Sequence, residues 1–185
     1  MSKNVLVIGT GTIGEPLIGL LAEHKESLGL DKVIFFKRTP LSEERGKVEA
    51  LLRKGAEIVS TNDALSEFHQ LGFNEIKDVE LAYEQSDVII DCTPSGNDNW
   101  EKIYSSLSQD KRFMAQGSEH GFGPFFAWGI NNEILKDESN KFLIASCNTH
   151  NIASIVKAFA LDQQRDLLEG KFVCLRRAND VSQND

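Results

Sequence analysis

The sequence has few cysteines, no long apolar run and no excess of positive charge. No apolar stretch is long enough to cross a bilayer, and the amino terminus lacks the pattern of a secretion signal. The three cysteines, Cys92, Cys147 and Cys174, are widely spaced, so we expect a reducing cytoplasm, no disulfide framework and no metal site. The net charge of -8 disfavours nucleic acid or an anionic membrane as a partner, and an anionic substrate would need a local positive site.

What is present suits a globular protein of 185 residues with a substantial core. Apolar runs alternate with helical patterns, which predicts an α/β fold: a Rossmann-type, doubly wound, mostly parallel sheet. The predicted strands are Val5–Ile8, Val33–Phe36, Glu57–Val59, Val88–Ile90, Arg112–Ala115, Phe142–Ala145 and Lys171–Arg177. The predicted helices follow the first strand, with Ile13, Leu17, Leu20 and Leu21 on one face, and then cover about 43–54, 62–71, 79–85, 100–107 and 147–168.

The residues directly after the first strand match the glycine pattern of dinucleotide-binding turns. The segment Gly9-Thr10-Gly11-Thr12-Ile13-Gly14 lies between a predicted strand and a predicted helix. Gly9 permits the tight turn, Gly11 lets a pyrophosphate approach the backbone, and Gly14 lets the helix pack close to the sheet. Free N–H groups and the helix dipole then hold the anion. The alternative is a glycine-rich turn that binds no ligand.

The second predicted strand ends in positive charge. The acid that usually holds a ribose 2′-hydroxyl is expected there, yet the residues are Lys37, Arg38 and Thr39, and Glu43 and Glu44 follow too late. Two cations and a hydroxyl suit a 2′-phosphate, so the sequence favours NADP over NAD. The alternative is a strand end that is simply solvated.

Two more turns follow predicted strands at the sheet edge where such folds bind ligands. They are the segments 91–96 (Asp-Cys-Thr-Pro-Ser-Gly) and 116–120 (Gln-Gly-Ser-Glu-His). Their glycines would let the backbone approach a cofactor, and Thr93 is a candidate cofactor contact. We interpret Cys92 as a small core residue and His120 as a histidine of a surface loop.

A cysteine begins the last long predicted helix, within Ser146-Cys147-Asn148-Thr149. The helix dipole and free N–H groups there favour a thiolate. The neighbouring hydroxyl and amide groups offer donors to an oxyanion or a phosphate. Two interpretations stay open: Cys147 is a nucleophile, or it is buried in a segment where Asn148 or Thr149 only starts the helix. We do not expect His150 to be the general base.

The order of these motifs resembles the archaeal-type (type II) glyceraldehyde-3-phosphate dehydrogenases, in particular their N-terminal half. The segments that carry the resemblance are 9–14, 91–96, Gln116-Gly117-Ser118-Glu119, Ser146-Cys147-Asn148-Thr149 and Arg176-Arg177-Ala178. The resemblance extends over nearly the whole chain, and the segment around Cys147 is its most specific part. It implies an NAD(P)-binding domain over 1–177 and a tail, 178–185, that leads toward an absent catalytic domain.

The resemblance also implies roles for individual residues. Cys147 would attack the aldehyde of glyceraldehyde 3-phosphate, hydride would pass to NADP or NAD, and inorganic phosphate would release 1,3-bisphosphoglycerate from the thioester. The enzyme would be a cytoplasmic homotetramer of glycolysis or gluconeogenesis. Substrate contacts are implied for Ser146 and Asn148, and Thr149, as a neighbouring donor, is a further candidate. Cofactor contacts are implied for Thr12, Ile13, Gly117, Lys37, Thr39 and one arginine of the pair Arg176-Arg177, with Arg177 favoured.

Some residues depart from the family pattern, and other functions stay open. Position 120 is His where the family commonly has Lys, and His150-Asn151 replaces the usual Thr-Gly. The aromatic segment 122–128 also differs, and no residue can be assigned as the general base. The alternatives are a non-catalytic dinucleotide-binding module and another thiol-dependent aldehyde dehydrogenase, such as a relative of aspartate-semialdehyde dehydrogenase. The direction of flux and the use of phosphate or water on the thioester also stay open.

Overall fold

A computed structural model describes residues 3–116, 120–136, 138–162 and 167–175. Its strands are β1 (Lys3–Ile8), β2 (Leu30–Phe36), β3 (Glu57–Ser60), β4 (Lys77–Asp78), β5 (Val88–Asp91), β6 (Arg112–Gln116), β7 (Phe125–Phe126) and β8 (Lys141–Ile144). Its α-helices are α1 (Gly14–Glu23), α2 (Arg45–Arg53), α3 (Leu65–Gln70), α4 (Val79–Gln85), α5 (Gly96–Lys102) and α6 (Cys147–Val156). Short 3-10 segments cover Ser42–Glu44, Asn62–Ala64, Tyr104–Ser106 and Asn132–Lys136, and a π-helical turn covers Lys157–Leu161.

The strands form one parallel sheet in the order β4-β3-β2-β1-β5-β6-β8-β7. The chain starts in the middle at β1, moves outward through β2, β3 and β4, and then returns to the other side of β1 with β5. The carboxyl ends of β1 and β5 therefore lie side by side where the winding direction reverses, which is where doubly wound folds bind ligands. The predicted fold class is confirmed.

Helices cover both faces of the sheet, and successive residues of each central strand enter different cores. In β1, Val5 and Val7 pack with α1, α2 and α3, whereas Leu6 and Ile8 pack on the opposite face with α4 and the segment after it. A strand that is buried on both sides reads as an unbroken apolar run, which is why the sequence predicts it well.

The first helix buries a different face from the predicted one. Ile18 and Ala22 are fully buried and Leu17 and Leu21 partly so, whereas Ile13 and Leu20 are about half exposed. Gly14 and Gly19 belong to the buried face of α1. Gly14 lies against Gly9 of the glycine turn and Gly19 against Leu51 of α2, so counting only large apolar residues misplaced the inner face of the helix.

The carboxyl-terminal predictions were partly wrong. Residues 171–175 form no strand, because no neighbouring strand pairs with them among the described residues, and Cys174 is exposed. Arg176, Arg177 and the tail 178–185 lie outside the described residues. The helix predicted over 147–168 is regular only to Val156, and residues 167–168 are not helical. Likewise α5 ends at Lys102 and gives way to a 3-10 turn.

Within the described ranges, no helix has the length and apolar character needed to cross a membrane.

Candidate dinucleotide site and cysteine

The turn between β1 and α1 has the geometry expected of its three glycines. Gly9 has a φ of 96°, a conformation that side chains with a Cβ rarely adopt. A Cβ at Gly14 would lie 1.9 Å from the Gly9 carbonyl oxygen, so helix and turn could not approach as they do. A Cβ at Gly11 would meet nothing within 4 Å, so this side of the turn is open. Thr12 and Ile13 are exposed beside it.

A cleft of about 470 Å³ lies at the carboxyl ends of β1, β2 and β5. Five of the predicted cofactor residues line it, namely Gly9, Lys37, Arg38, Thr39 and Thr93. Apolar side chains of Phe36, Val79, Tyr83 and Ile103 also line it, as does the carboxylate of Glu80. The cleft thus combines the glycine turn with the positive strand end, at the place where this fold binds nucleotides.

Lys37 is buried at the end of β2, with only 6% of its surface exposed. Its ammonium group donates to a carboxylate oxygen of Glu44, which the 3-10 turn Ser42–Glu44 brings back over the strand end. Its backbone is fixed as well, because its N–H donates to Val59 and its carbonyl accepts from Ser60 Oγ at 2.7 Å. Glu44 does not line the cleft, so its contact is with Lys37, against which the 3-10 turn places it.

Glu44 is held in its ionised form by its surroundings. The hydrogen bond from Lys37 is the largest of the influences that lower the pKa of Glu44, and partial burial opposes it. The charges of Lys37 and Lys47 lower this pKa further. Arg38 and Thr39, next in sequence, are exposed on the cleft, and Arg38 forms no ion pair within the described part of the chain.

Asp91 organises the turn on the other side of the cleft, and the sequence analysis assigned it no role. Its carboxylate is fully buried and accepts from the Thr93 N–H (2.8 Å), Thr93 Oγ1 (2.6 Å), Asn99 Nδ2 (2.7 Å) and the Tyr104 hydroxyl (2.8 Å). Four donors compensate the cost of burying the carboxylate. The signal in the sequence was an acid that ends an apolar strand directly before Thr-Pro-Ser-Gly.

Burial also changes the acidity of groups around Asp91. The pKa of the Cys92 thiol is raised to about 12, first by burial and then by the Asp91 charge. The pKa of Tyr104 is also raised, by burial and by Asp91. Cys92 packs against the core, as predicted, and is a poor nucleophile at neutral pH.

Cys147 is exposed as the first residue of α6, immediately beyond the carboxyl end of β8. The helix is capped by Ser146, whose Oγ accepts from the Thr149 N–H at 3.3 Å and lies 2.9 Å from Thr149 Oγ1. The alternative of a buried Cys147 was therefore wrong, and the capping residue is Ser146 instead of Asn148 or Thr149. Cys147 lies on the surface, at the same edge of the sheet as the cleft.

The cysteine and the cleft are neighbours along this edge but do not share one pocket. Cys147, Ser146, Asn148 and Thr149 are not among the residues that line the cleft. Three strand spacings separate β8 from β1, or about 14 Å. An extended dinucleotide held at the glycine turn would have to span this distance to reach the sulfur.

The remaining candidates are only partly described. Gly117 and Arg177 lie outside the described residues. His120 is exposed, as predicted, and its carbonyl accepts from Asn97. His150 lies with Nε2 3.0 Å from the Trp128 carbonyl oxygen. Among the described residues, no group of three or more His, Cys, Asp or Glu side chains could hold a metal ion.

No protein-family model matches the chain. Among curated proteins it is 27% identical over 159 residues to a glyceraldehyde-3-phosphate dehydrogenase of Pyrobaculum calidifontis, which covers 84% of this chain and 44% of the relative. It is 26% identical over 178 residues to the enzyme of the same name from Sulfolobus acidocaldarius, which covers 95% of this chain and 49% of the relative. The chain thus spans about half the length of these relatives.

Among solved structures, glucose dehydrogenase of Haloferax mediterranei in complex with NADP, zinc and gluconolactone aligns with 85% of this chain and 41% of its own. The sequence identity is 16% and the TM-score is 0.44. The fold assignment rests on the strand order of the chain itself. The predicted resemblance is confirmed by the sequence matches: the chain is similar, over most of its length, to archaeal glyceraldehyde-3-phosphate dehydrogenases, as their N-terminal half would be.

Proposed function

We propose that the chain is the dinucleotide-binding part of a phosphorylating glyceraldehyde-3-phosphate dehydrogenase, with NADP preferred over NAD and Cys147 as its nucleophile. The observation that carries the proposal is the placement of an exposed cysteine, at the start of a helix, on the sheet edge that also holds the glycine turn. The names of the curated relatives supply the aldehyde substrate, glyceraldehyde 3-phosphate, and the family resemblance implies inorganic phosphate as the second substrate.

The cleft fits the cofactor through its own residues. Gly11 leaves the turn open on the side where a pyrophosphate would approach, and the start of α1 directs the positive end of its helix dipole toward an anion. Arg38 and Thr39 offer a cation and a hydroxyl for a 2′-phosphate. A bound nicotinamide dinucleotide would accept the hydride from the substrate.

Cys147 provides the covalent chemistry. Its thiolate attacks the aldehyde carbon to form a thiohemiacetal, and loss of hydride from that carbon leaves a thioester on the sulfur. Phosphate then displaces the sulfur and yields the acyl phosphate. Ser146, Asn148 and Thr149 flank Cys147 in sequence, and their hydroxyl and amide groups are candidate donors to the substrate oxygens, although Ser146 Oγ and Thr149 Oγ1 are hydrogen-bonded to each other. No hydrogen bond joins Cys147 to an acid or a histidine within the described ranges, so the proton acceptor is unassigned.

The proposal is tested by protection of Cys147 from alkylation in the 185-residue chain. Saturating NADP should slow iodoacetamide labelling of Cys147 several-fold, because the nicotinamide end would cover the sulfur. Cys174, which is also exposed, is the internal control and should label at an unchanged rate. Peptide mass spectrometry reads both sites in one sample.

Two results would contradict the proposal: neither dinucleotide binds, or NADP binds and Cys147 labels at its original rate. The finer chemistry is tested by NADPH formation from glyceraldehyde 3-phosphate. Because no general base is assigned in this chain, NADPH formation should be slow. Phosphate should be required for turnover beyond one equivalent, and Cys147→Ser should abolish NADPH formation entirely. Turnover without phosphate would indicate hydrolysis of the thioester.

A further inference from the structure

A series of ion pairs extends from the positive end of β2. Glu44 binds the Lys37 ammonium with one carboxylate oxygen and lies 3.4 Å from Lys47 Nζ with the other. Lys47 also pairs with Glu15, in the first turn of α1, at 3.1 Å. Two cations and two carboxylates thus alternate from the strand end to the helix that follows the glycine turn.

These ion pairs determine which cations are available to bind an anionic ligand in the cleft. Lys37 and Arg38 are the positively charged residues that line it. Lys37 is neutralised by Glu44 and almost fully buried, whereas Arg38 is exposed and without an ion pair in the described part of the chain. The exposed Glu80 carboxylate lies on the same cleft and opposes an anion. The sequence shows two cations here, but of the described residues that line the cleft, Arg38 is the one cation without a paired carboxylate.

We propose that Glu44 is a specificity-determining residue that acts through Lys37: it withholds the Lys37 ammonium from the cleft, so that recognition of a cofactor 2′-phosphate depends on Arg38. The inference rests on the proposed dinucleotide site and deepens it. The carboxylate of Glu44 competes directly with a phosphate for the same buried ammonium. The chain therefore discriminates less strongly between NADP and NAD than its Lys-Arg sequence suggests.

The test compares dissociation constants of NADP and NAD, measured by calorimetry on the 185-residue chain, for wild type and Glu44→Gln. Removal of one carboxylate charge beside a buried cation should tighten NADP binding about tenfold, because the 2′-phosphate becomes the counter-ion of Lys37. NAD, which has no 2′-phosphate, should change by less than about twofold by the same reasoning. The double variant Lys37→Met/Glu44→Gln should lose the gain.

Glu43→Gln is the matched control. Glu43 is the adjacent acid in the same 3-10 turn, it contacts Ser42 Oγ and it does not line the cleft. The same charge change at this position should leave the ratio of the two dissociation constants unaltered. Arg38→Met supplies a second test that does not disturb the ion pairs, because Arg38 is exposed. This variant should weaken NADP binding about tenfold and leave NAD binding unchanged.

An unchanged or reduced NADP preference in Glu44→Gln would overturn the inference, as would full NADP affinity in Arg38→Met. An equal gain in Glu43→Gln would also overturn it, because the effect would then be one of net charge alone. If wild type binds neither dinucleotide, the proposed function itself fails. If wild type binds both and only the variants disagree with expectation, the site stands and the role of Glu44 falls.

Discussion

The three cysteines differ in environment, and so in the chemistry open to each. Cys92 packs against the core with its pKa raised to about 12. Cys147 is exposed at the start of α6, where free N–H groups are available, and Cys174 is exposed in irregular chain. The environment of each sulfur, and not its presence in the sequence, decides whether it can act as a nucleophile.

Alkylation rates should therefore rank the three sulfurs. At pH 8 we expect iodoacetamide to modify Cys147 and Cys174 readily, because both residues are exposed. Cys92 should be slower by at least about a hundredfold, because few of its thiols are ionised at this pH. Peptide mass spectrometry over a time course measures all three rates. A rate for Cys92 equal to the other two would show that its sulfur is not buried as described.

Tyr83 should give the protein an alkaline limit to its stability. Its pKa is raised to about 12, mainly by burial and further by Glu80 and Asp91, while Arg38 opposes the shift. Below pH 10 the phenol is neutral in the folded and unfolded states alike, so its contribution is fully present. Between about pH 10 and pH 12 the unfolded state ionises first, and the free energy of unfolding should fall by roughly 2–3 kcal/mol.

Urea denaturation of wild type and Tyr83→Phe from pH 8 to pH 11 measures this effect. The variant should lose stability more gently as pH rises above 10. Some decline should persist, because the pKa of Tyr104 is raised as well. Identical slopes for the two proteins would show that Tyr83 is not buried as described.

At the scale of elements, two glycines in the turn from β1 to α1 have different roles, one in folding and one in ligand binding. Gly14 lies against the Gly9 carbonyl and serves packing, whereas Gly11 faces open space. Gly14→Ala should cost about 1–3 kcal/mol in the free energy of unfolding and weaken NADP binding, because the turn must shift. Gly11→Ala should keep the wild-type melting temperature but lose NADP affinity, since its methyl group would occupy the path of the pyrophosphate.

Thermal melts and NADP titrations of both variants distinguish these roles. Loss of stability in Gly11→Ala would mean that this glycine is also structural. Retention of NADP affinity in Gly11→Ala would mean that the pyrophosphate does not approach the turn at this point.

The sequence predicted the central elements because their signals are local. Buried parallel strands such as β1 and β5 read as apolar runs, and the glycine turn is contiguous in sequence. The two-residue strands β4 and β7 are too short for a periodic signal. A strand was expected over 171–177, but its described part, 171–175, has no neighbouring strand with which to pair, and the local sequence cannot supply one.

The candidate site was predictable only in part for the same reason. Strand ends located Lys37, Arg38 and Thr93 correctly beside the glycine turn. The partners that set their behaviour, Glu44 and Asp91, act through contacts that only the folded chain creates. The sequence identified Lys37 and Arg38 as the cations of the site, and the structure showed that Lys37 is neutralised by Glu44.

At the scale of the whole molecule, the two core clusters lie between Val5 and Leu143. Beyond them, most large apolar side chains are exposed: Phe159 by 75%, Leu168 by 95%, Val173 by 89% and Leu175 by 95%. The stability of this chain therefore depends on the sheet and on its first five helices. A ligand that binds at the cleft should stabilise all of these elements against unfolding.

NADP should accordingly raise the melting temperature of the whole chain. A ligand at a hundred times its dissociation constant stabilises a folded protein by about 2.7 kcal/mol. For a chain of this size that corresponds to roughly 5–10 °C, measured by scanning calorimetry. Inorganic phosphate at the same concentration is the control and should give little shift. A melt that NADP leaves unchanged would show that the cleft does not bind it.

The central position of β1 has a consequence for synthesis on the ribosome. Val5 pairs with Val33 on one side and with Val88 on the other. At about 5–20 residues per second, several seconds pass between the emergence of the first strand and that of its second neighbour. During that interval one hydrogen-bonding edge of a strand with four consecutive apolar residues has no partner, and the nascent chain must be kept from pairing with another polypeptide.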